Sequence, residues 1–191
     1  MSLRRGFKAE ANDYAVEFRK ELRLDAHEPL CPRKLAKHLE IPVSRLSEFA
    51  SDIPEHYSYF TGVEGRSFSA VTVFFGRMRL IIHNDSHALP RQAANIAHEL
   101  AHGILHHPPS PPLNEHGCRH FDQGIEEEAN WLGPALLVSE EAAIHVARTG
   151  LSAEEAAKVY GVSEELMRMR LNVTGAYKRV LRIQNYYARR K

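Results

Sequence analysis

Residues 95–107 read NIAHELAHGILHH, and this stretch determines how the rest of the chain is interpreted. His98 and His102 are four residues apart, so on an α-helix their side chains lie on the same face. Glu99 follows the first histidine directly. In this HExxH arrangement the two imidazoles can bind one zinc ion, and the glutamate can accept a proton from water bound to that zinc.

The residues on either side of the motif predict a helix over 90–106. Its apolar residues recur at helical spacing on one face, and the two histidines and Glu99 lie outside that face. This context matters, because a chain with 12 histidines has a chance expectation of roughly 0.07 HExxH matches. A helix that buries its apolar face against a sheet would leave the motif facing a cleft.

A catalytic zinc site needs a third protein ligand and one open coordination position. The metzincin pattern HExxHxxGxxH requires a glycine and a third histidine where this chain has Leu105 and Pro108, so that class is excluded. The remaining option is a glutamate from a later helix. The run EEE at 126–128 begins 24 residues after His102, and the apolar residues that follow it would pack the second helix against the first.

Two motifs together resemble a known family. HELAH at 98–102 followed by EEEANWLGPALLV at 126–138 is similar to the ImmA/IrrE-type metallopeptidases, whose pattern is HExxH and then E-x-E-A-N-x-(F/L)-A-x-x-L-L-M-P. RLIIHND at 79–85 resembles the family strand before the active-site helix. LSAEEAAKVYGVSEELMRMRL at 151–171 resembles its C-terminal helical segment, so the likeness extends over roughly residues 9–175.

The resemblance implies a gluzincin-like site with one zinc ion per chain, manganese being the alternative metal. His98, His102 and Glu126 would be the ligands, and Glu99 would be the general base that activates zinc-bound water for peptide hydrolysis. Asn130, one turn beyond Glu126, would orient a zinc-binding histidine from outside the ligand set.

The chain departs from the family pattern in two places. Val138-Ser139 replaces the usual Met-Pro, and Gly133-Pro134 lies inside the second helix. Pro134 cannot donate a backbone hydrogen bond, so we expect a kink there. Neither departure removes a ligand.

Peptide hydrolysis also needs an oxyanion donor and a place for the substrate, and the sequence offers several candidates for each. The developing oxyanion needs a further donor, and the candidates are His116, His120 and Tyr160. An extended substrate could add to a sheet edge, supplied either by 70–75 or by 78–83.

Other histidines and cysteines have competing interpretations. His106 and His107 could bind a second metal, but solvated histidines at a helix C-terminus are the simpler interpretation. HGCRH at 116–120 could be a short zinc site, but a loop over the cleft is favoured because no second cysteine is near Cys118. Cys31 is expected to be an inert, partly buried thiol.

The predicted fold class is α+β: a small antiparallel sheet packed against the HExxH helix and the second ligand-bearing helix, with a helical C-terminal module. We divide the chain into a metallopeptidase-like domain at 1–145 and the module at 146–191. Ser139, Ser152 and Ser163 are predicted helix N-caps. Helices are expected over 9–24, 32–38, 90–106 and from 122, and strands over 57–61, 70–75 and 78–83.

The segment 152–171 has the cadence of a helix-turn-helix. A DNA-reading helix would begin at Ser163, but the two glutamates that follow it would face phosphates. Arg168, Arg170 and the tail ARRK supply compensating positive charge. A helical packing module is therefore favoured over DNA binding.

Composition limits the classes of partner and the cellular compartment that we expect for this protein. The formal net charge of +1 gives no global attraction to nucleic acid or acidic membranes, and the two cysteines suit a reducing cytosol. No apolar run approaches the roughly 20 residues that span a bilayer, and MSLRRGFKAE at the start lacks a secretory apolar stretch. We expect a cytoplasmic protein without membrane contact, and its oligomeric state stays open.

Three functions compete. The motif together with Glu126 favours a zinc endopeptidase, because a non-catalytic scaffold has no need of Glu99. The resemblance implies that the substrate is a protein regulator, such as a helix-turn-helix repressor or antitoxin, in stress responses or phage-like elements. The alternatives are a non-catalytic regulator that keeps this fold and binds a protein or DNA, and a metal-dependent hydrolase that cuts another bond.

Overall fold

A computed structural model describes residues 3–62, 68–76, 78–108 and 122–188. It confirms the α+β class, with helices before and after a small sheet. The strands are β1 (Val43–Arg45), β2 (Ala70–Phe75) and β3 (Met78–His83). The α-helices are α1 (Phe7–Glu21), α2 (Pro32–His38), α3 (Pro54–Thr61), α4 (Leu89–Ile104), α5 (Gln123–Leu137), α6 (Glu140–Thr149), α7 (Ala153–Tyr160), α8 (Glu164–Val173) and α9 (Ala176–Ala188).

The sheet has the strand order β1-β3-β2, with β3 in the centre. The predicted hairpin is confirmed: β2 and β3 pair antiparallel, and Phe75 faces Met78 across a two-residue connection. Gly76 in that connection has a φ of +60°, a conformation that glycine adopts without a steric cost in tight hairpin turns. β1 pairs parallel to β3, so the sheet is mixed, and a strand of only three residues is too short to show an alternating pattern.

The expected strand over 57–61 is wrong, because these residues form the second half of α3. Pro54 stands in the first turn of that helix, where its fixed φ and missing N–H favour helix initiation. The ring of Phe60 contacts both Tyr59 and Phe68. Helix initiation at Pro54 outweighs the β propensity of these aromatic residues, which depends strongly on context.

α4 and α5 form the centre of the molecule, since both contribute to two hydrophobic cores. Ile96 and Leu100 of α4 are buried in a core shared with α1, α2 and β3. Ala97, next to Ile96, is buried in the second core, which it shares with the end of α5 and with α6–α9. A helix buried on both sides is held firmly in position.

The C-terminal part is helical as predicted, and the three serine caps are confirmed. The hydroxyls of Ser139, Ser152 and Ser163 each accept a hydrogen bond from a backbone N–H in the first turn of α6, α7 and α8. The division between residues 145 and 146 stays a prediction, and α6 runs across it. Within the described residues, no helix is long and apolar enough to cross a membrane.

Two buried arginines bind the C-terminal end of α5. Arg19 of α1 donates to the carbonyl of Leu137 at 3.1 Å, and Arg170 of α8 donates to the carbonyl of Val138 at 2.8 Å. The last carbonyls of a helix lack partners within the helix, so these guanidinium groups satisfy acceptors that would otherwise be buried without a donor. α5 is thereby fixed to both cores. Arg170 is only 3 % exposed, which removes it from any surface that could meet DNA.

Candidate metal centre

The two histidines of the HExxH motif converge on one point. α4 places His98 and His102 one turn apart, and their Nε2 atoms are 3.1 Å from each other. Each ring turns its Nε2 toward the same space, so both nitrogens can bind one ion.

α5 supplies the third group. Its N-terminus is capped by Asp122, whose carboxylate accepts from the N–H groups of Gly124 and Ile125. The cap fixes the first turn, which carries Glu126. One oxygen of this carboxylate lies 3.4 Å from Nε2 of His98, and the other lies 3.6 Å from Nε2 of His102.

These separations fit a tetrahedral metal site. Three ligands placed about 2.0–2.1 Å from one ion at tetrahedral angles are about 3.3–3.4 Å from one another. The observed separations of 3.1, 3.4 and 3.6 Å bracket that value. His98, His102 and Glu126 can therefore hold one metal ion without large rearrangement.

The three adjacent glutamates have three different environments. Glu126 faces the two histidines. Glu127 accepts a hydrogen bond from Gln123 at 2.9 Å, and Glu128 lies 3.2 Å from His107. The helical rotation of about 100° per residue separates them, so only one carboxylate of the run reaches the candidate site.

The site is open to solvent on one side. The side chains of His98, His102 and Glu126 are 26, 20 and 30 % exposed. A structural zinc site is closed by four protein ligands, whereas a catalytic one keeps a position for substrate. Three converging groups with this exposure leave room for a fourth ligand at a metal bound between them.

Glu99 lies beside the cluster and is held by the sheet. The hydroxyl of Thr72 on β2 donates to its carboxylate at 2.5 Å. Burial raises the pKa of Glu99, and the hydrogen bond from Thr72 opposes that rise without cancelling it. A carboxylate with a raised pKa is a better proton acceptor near neutral pH. Sequence analysis missed Thr72, since a threonine in a strand has no distinguishing signal.

The histidines and Glu126 influence one another strongly. Burial lowers the pKa of His102 to about 4, assisted by the neighbouring rings of His98 and His107. Burial lowers the pKa of His98, but the Glu126 carboxylate and Glu99 have the larger combined effect and raise it overall. The hydrogen bond with His98 lowers the pKa of Glu126. These directions keep His102 neutral and Glu126 ionised, as metal ligation requires, whereas His98 must give up the proton that Glu126 favours before its Nε2 can bind a metal.

Asn130 lies one turn beyond Glu126, as the sequence predicted, and a hydrogen bond with it is among the influences that raise the pKa of His98. Gly133, one turn further on, lies against the backbone of α4 at His98. α5 continues to Leu137 with Pro134 inside it. The family-atypical Gly133-Pro134 pair therefore lies where the two ligand-bearing helices approach each other.

Some predicted site residues lie elsewhere or outside the described residues. The Tyr160 hydroxyl donates to the carbonyl of His27 at 2.6 Å, so its single proton is already used and it is not available for an oxyanion. His116, His120 and Cys118 fall in 109–121, outside the described residues.

His106 and His107 differ from each other. His106 is exposed, in line with the expected solvated histidine, but His107 is 9 % exposed and contacts His102. The interpretation of His107 as a solvated side chain is wrong, because the chain reverses after α4 and returns it to the site.

Comparison with known families agrees with this geometry. The Peptidase_M78 model, described as the IrrE N-terminal-like domain, matches residues 35–172, which is well over half of the chain. The chain belongs to the Peptidase_M78 family. Among curated proteins, none matches it.

Membership in the Peptidase_M78 family confirms the resemblance inferred from HELAH and the EEEAN run. The matched region contains both ligand-bearing helices together with Thr72 and Glu99. It begins within α2 and ends within α8, so α1 and α9 lie outside it. The fold of a metallopeptidase and a three-residue group able to bind a metal ion therefore occur together in this chain.

Proposed function

We propose that this protein is a zinc-dependent endopeptidase that cleaves a protein regulator. The observation that carries the proposal is the convergence of two imidazole nitrogens and one carboxylate at tetrahedral spacing, with Glu99 beside them. Nitrogen and oxygen donors of this kind suit zinc. Manganese prefers oxygen-rich ligand sets, so two histidines among three ligands favour zinc.

In this mechanism each residue has a distinct task. His98, His102 and Glu126 hold the metal, which when bound supplies a Lewis acid for the scissile carbonyl and acidifies adjacent water. Glu99 takes the proton from the attacking water and passes it to the leaving amine. Thr72 keeps the Glu99 carboxylate oriented toward the site and limits the rise of its pKa.

The edge of the sheet gives the substrate a place to bind. The sequence left open whether 70–75 or 78–83 is the edge. β3 is paired on both sides, whereas β2 has one free side within the described sheet. Thr72 of β2 contacts Glu99, and its neighbours Val71 and Val73 are 40 and 44 % exposed. An extended peptide paired with β2 would lie next to the metal centre.

The substrate class follows from family likeness. ImmA/IrrE-type enzymes act on helix-turn-helix repressors and related regulators, and we extend that class to this chain. A cytoplasmic location fits such a substrate. Cys31 is exposed, so the prediction of a partly buried thiol is wrong, and an exposed free thiol also fits a reducing compartment.

The first test is metal content. Elemental analysis of protein purified without chelators should find about one zinc per chain. The Glu126→Gln and His102→Ala variants should contain less zinc. Glu127→Gln is the matched control, because it makes the same change on the neighbouring residue away from the site. If the wild type binds no zinc even after reconstitution, the proposal is wrong.

The second test separates catalysis from binding. Glu99→Gln should keep zinc and lose hydrolysis of an unfolded protein substrate and of helix-turn-helix repressors, because an amide cannot accept the proton. A zinc-loaded wild type that cleaves neither class, but binds a repressor, would instead support the non-catalytic regulator.

A further inference from the structure

The C-terminal end of α4 has an unusual backbone conformation. His106 has a φ of +53°, the left-handed region that helices commonly use at their ends but usually fill with glycine. The N–H of His107 donates to the carbonyl of His102 at 3.0 Å, and the N–H of His106 donates to that of Gly103 at 3.2 Å. This pair of bonds defines a Schellman motif. The motif turns the chain back so that His107 lies over His102.

An apolar contact between the residues at these two positions frequently accompanies a Schellman motif. Here they make a polar one, since Nδ1 of His102 is 2.9 Å from Nδ1 of His107. The other ring nitrogen of His107, Nε2, is 3.2 Å from the carboxylate of Glu128. A histidine–histidine–carboxylate chain therefore leads away from the candidate metal ligand.

Metal binding would determine which nitrogen of each ring carries the proton. If Nε2 of His102 binds the metal through its lone pair, its proton must reside on Nδ1. That N–H can only donate, so Nδ1 of His107 must accept. His107 then carries its own proton on Nε2, where the Glu128 carboxylate accepts it. Every donor in the chain meets an acceptor.

Arg4 of the N-terminal segment binds the carboxylate at the end of this hydrogen-bonded series. Nε of Arg4 donates to Glu128 at 2.8 Å, and its guanidinium also pairs with Glu10 of α1 at 2.6 Å. Arg4 thereby holds one oxygen of the Glu128 carboxylate while His107 contacts the other. Hydrogen bonds and ion pairs therefore connect the N-terminal segment, α1, α5 and the C-terminal end of α4.

We propose that His107 and Glu128 are positioning residues that fix the tautomer and orientation of His102 for metal binding. The inference rests on the proposed zinc function. Metal-binding histidines commonly donate their second N–H to a carboxylate or carbonyl, and loss of such a partner weakens metal affinity about 10–100-fold. In this chain the carboxylate acts through an intervening histidine.

The test measures zinc affinity of the full chain by competition with a chromophoric chelator. His107→Leu fills the same space without ring nitrogens, and Glu128→Ala removes the final acceptor. Both should bind zinc at least about tenfold more weakly than the wild type. His107→Gln should recover part of the loss, because its amide can accept from His102 and donate to Glu128.

The matched control variants change the residues adjacent to Glu128 and His107. Glu127→Ala makes the same change on the adjacent residue, whose partner is Gln123. His106→Gly keeps the left-handed turn while removing the neighbouring imidazole. Both should bind zinc like the wild type. Thermal unfolding of the metal-free proteins shows whether each variant folds. If His107→Leu does not fold, the difference in zinc affinity between Glu128→Ala and Glu127→Ala tests the inference.

A second readout addresses the tautomers directly. Long-range ¹⁵N–¹H NMR of the zinc-loaded wild type should show His102 protonated at Nδ1 and His107 at Nε2. Protonation of His107 at Nδ1, or wild-type zinc affinity in both His107→Leu and Glu128→Ala, would overturn the inference while leaving the zinc site intact. A wild type without zinc binding would overturn the proposed function as well.

Discussion

Gly133 of α5 lies so close to His98 of α4 that a Cβ atom built on it would be 3.1 Å from the backbone nitrogen of His98. That separation is tighter than ordinary van der Waals contact. Since His98 and Glu126 are on the two helices that meet here, the absence of a side chain at position 133 sets the distance between two candidate metal ligands.

Gly133→Ala should therefore move the helices apart. We expect a loss of about 1–3 kcal/mol in the free energy of unfolding, as for other overpacked sites, together with weaker zinc binding. Urea unfolding and chelator competition measure the two effects. Gly124→Ala in the same helix is the control, because its Cβ would be 3.4 Å from the nearest atom. Equal stability of the two variants would contradict this account.

Thr72→Val should change the pH dependence of hydrolysis. The hydroxyl of Thr72 lowers the pKa of Glu99 against the larger effect of burial, so its removal raises that pKa further. The general base must be ionised to act, and the acid limb of kcat/KM should move to higher pH. Thr72→Ser restores a hydroxyl and should restore the profile. A Thr72→Val profile that coincides with the wild type would show that the hydroxyl has no such role.

Arg170→Met should destabilise the fold. The Arg170 guanidinium is buried, its pKa is lowered by burial to about 10, and it donates to the carbonyl of Val138. Removing the donor leaves that carbonyl unsatisfied and should cost about 1–3 kcal/mol in urea unfolding. Arg168→Met removes an exposed arginine that pairs with Glu164 on the same helix, and should change stability by less than about 0.5 kcal/mol. Similar losses in both variants would refute the argument.

His83 should make the fold sensitive to acid. The ring is fully buried, and burial first and then Arg33 lower its pKa. The unfolded chain, with a histidine pKa of about 6.5, takes up the proton before the folded protein does. Stability is therefore present above that pH and is lost as pH falls below it.

Urea unfolding at pH 8 and pH 5.5 tests this expectation. His83→Gln should lose less stability between the two values than the wild type, because the residue that must be protonated is gone. His56→Gln on the exposed face of α3 should behave like the wild type. An identical acid loss in His83→Gln would assign the sensitivity to other groups.

Several parts of the fold were predictable because their causes are local. The apolar spacing of α4, the serine caps of α6–α8 and the Gly76 turn each depend on residues within a few positions of one another. The strand expected over 57–61 was wrong although its cause is also local, since Pro54 starts a helix that includes these residues. β1 depends on pairing with β3, a contact between segments more than 30 residues apart.

For the candidate site, the type of chemistry was predictable from sequence: the four-residue spacing of His98 and His102, and a helix carrying Glu126, follow from helical periodicity. The groups that surround these residues depend on tertiary packing. Thr72 meets Glu99 across the sheet, and Glu128 reaches His102 through His107. Thr72 and Glu128 come from segments far from the HExxH motif in sequence, and no spacing rule relates them to it, because their contacts depend on how α4, α5 and β2 pack together.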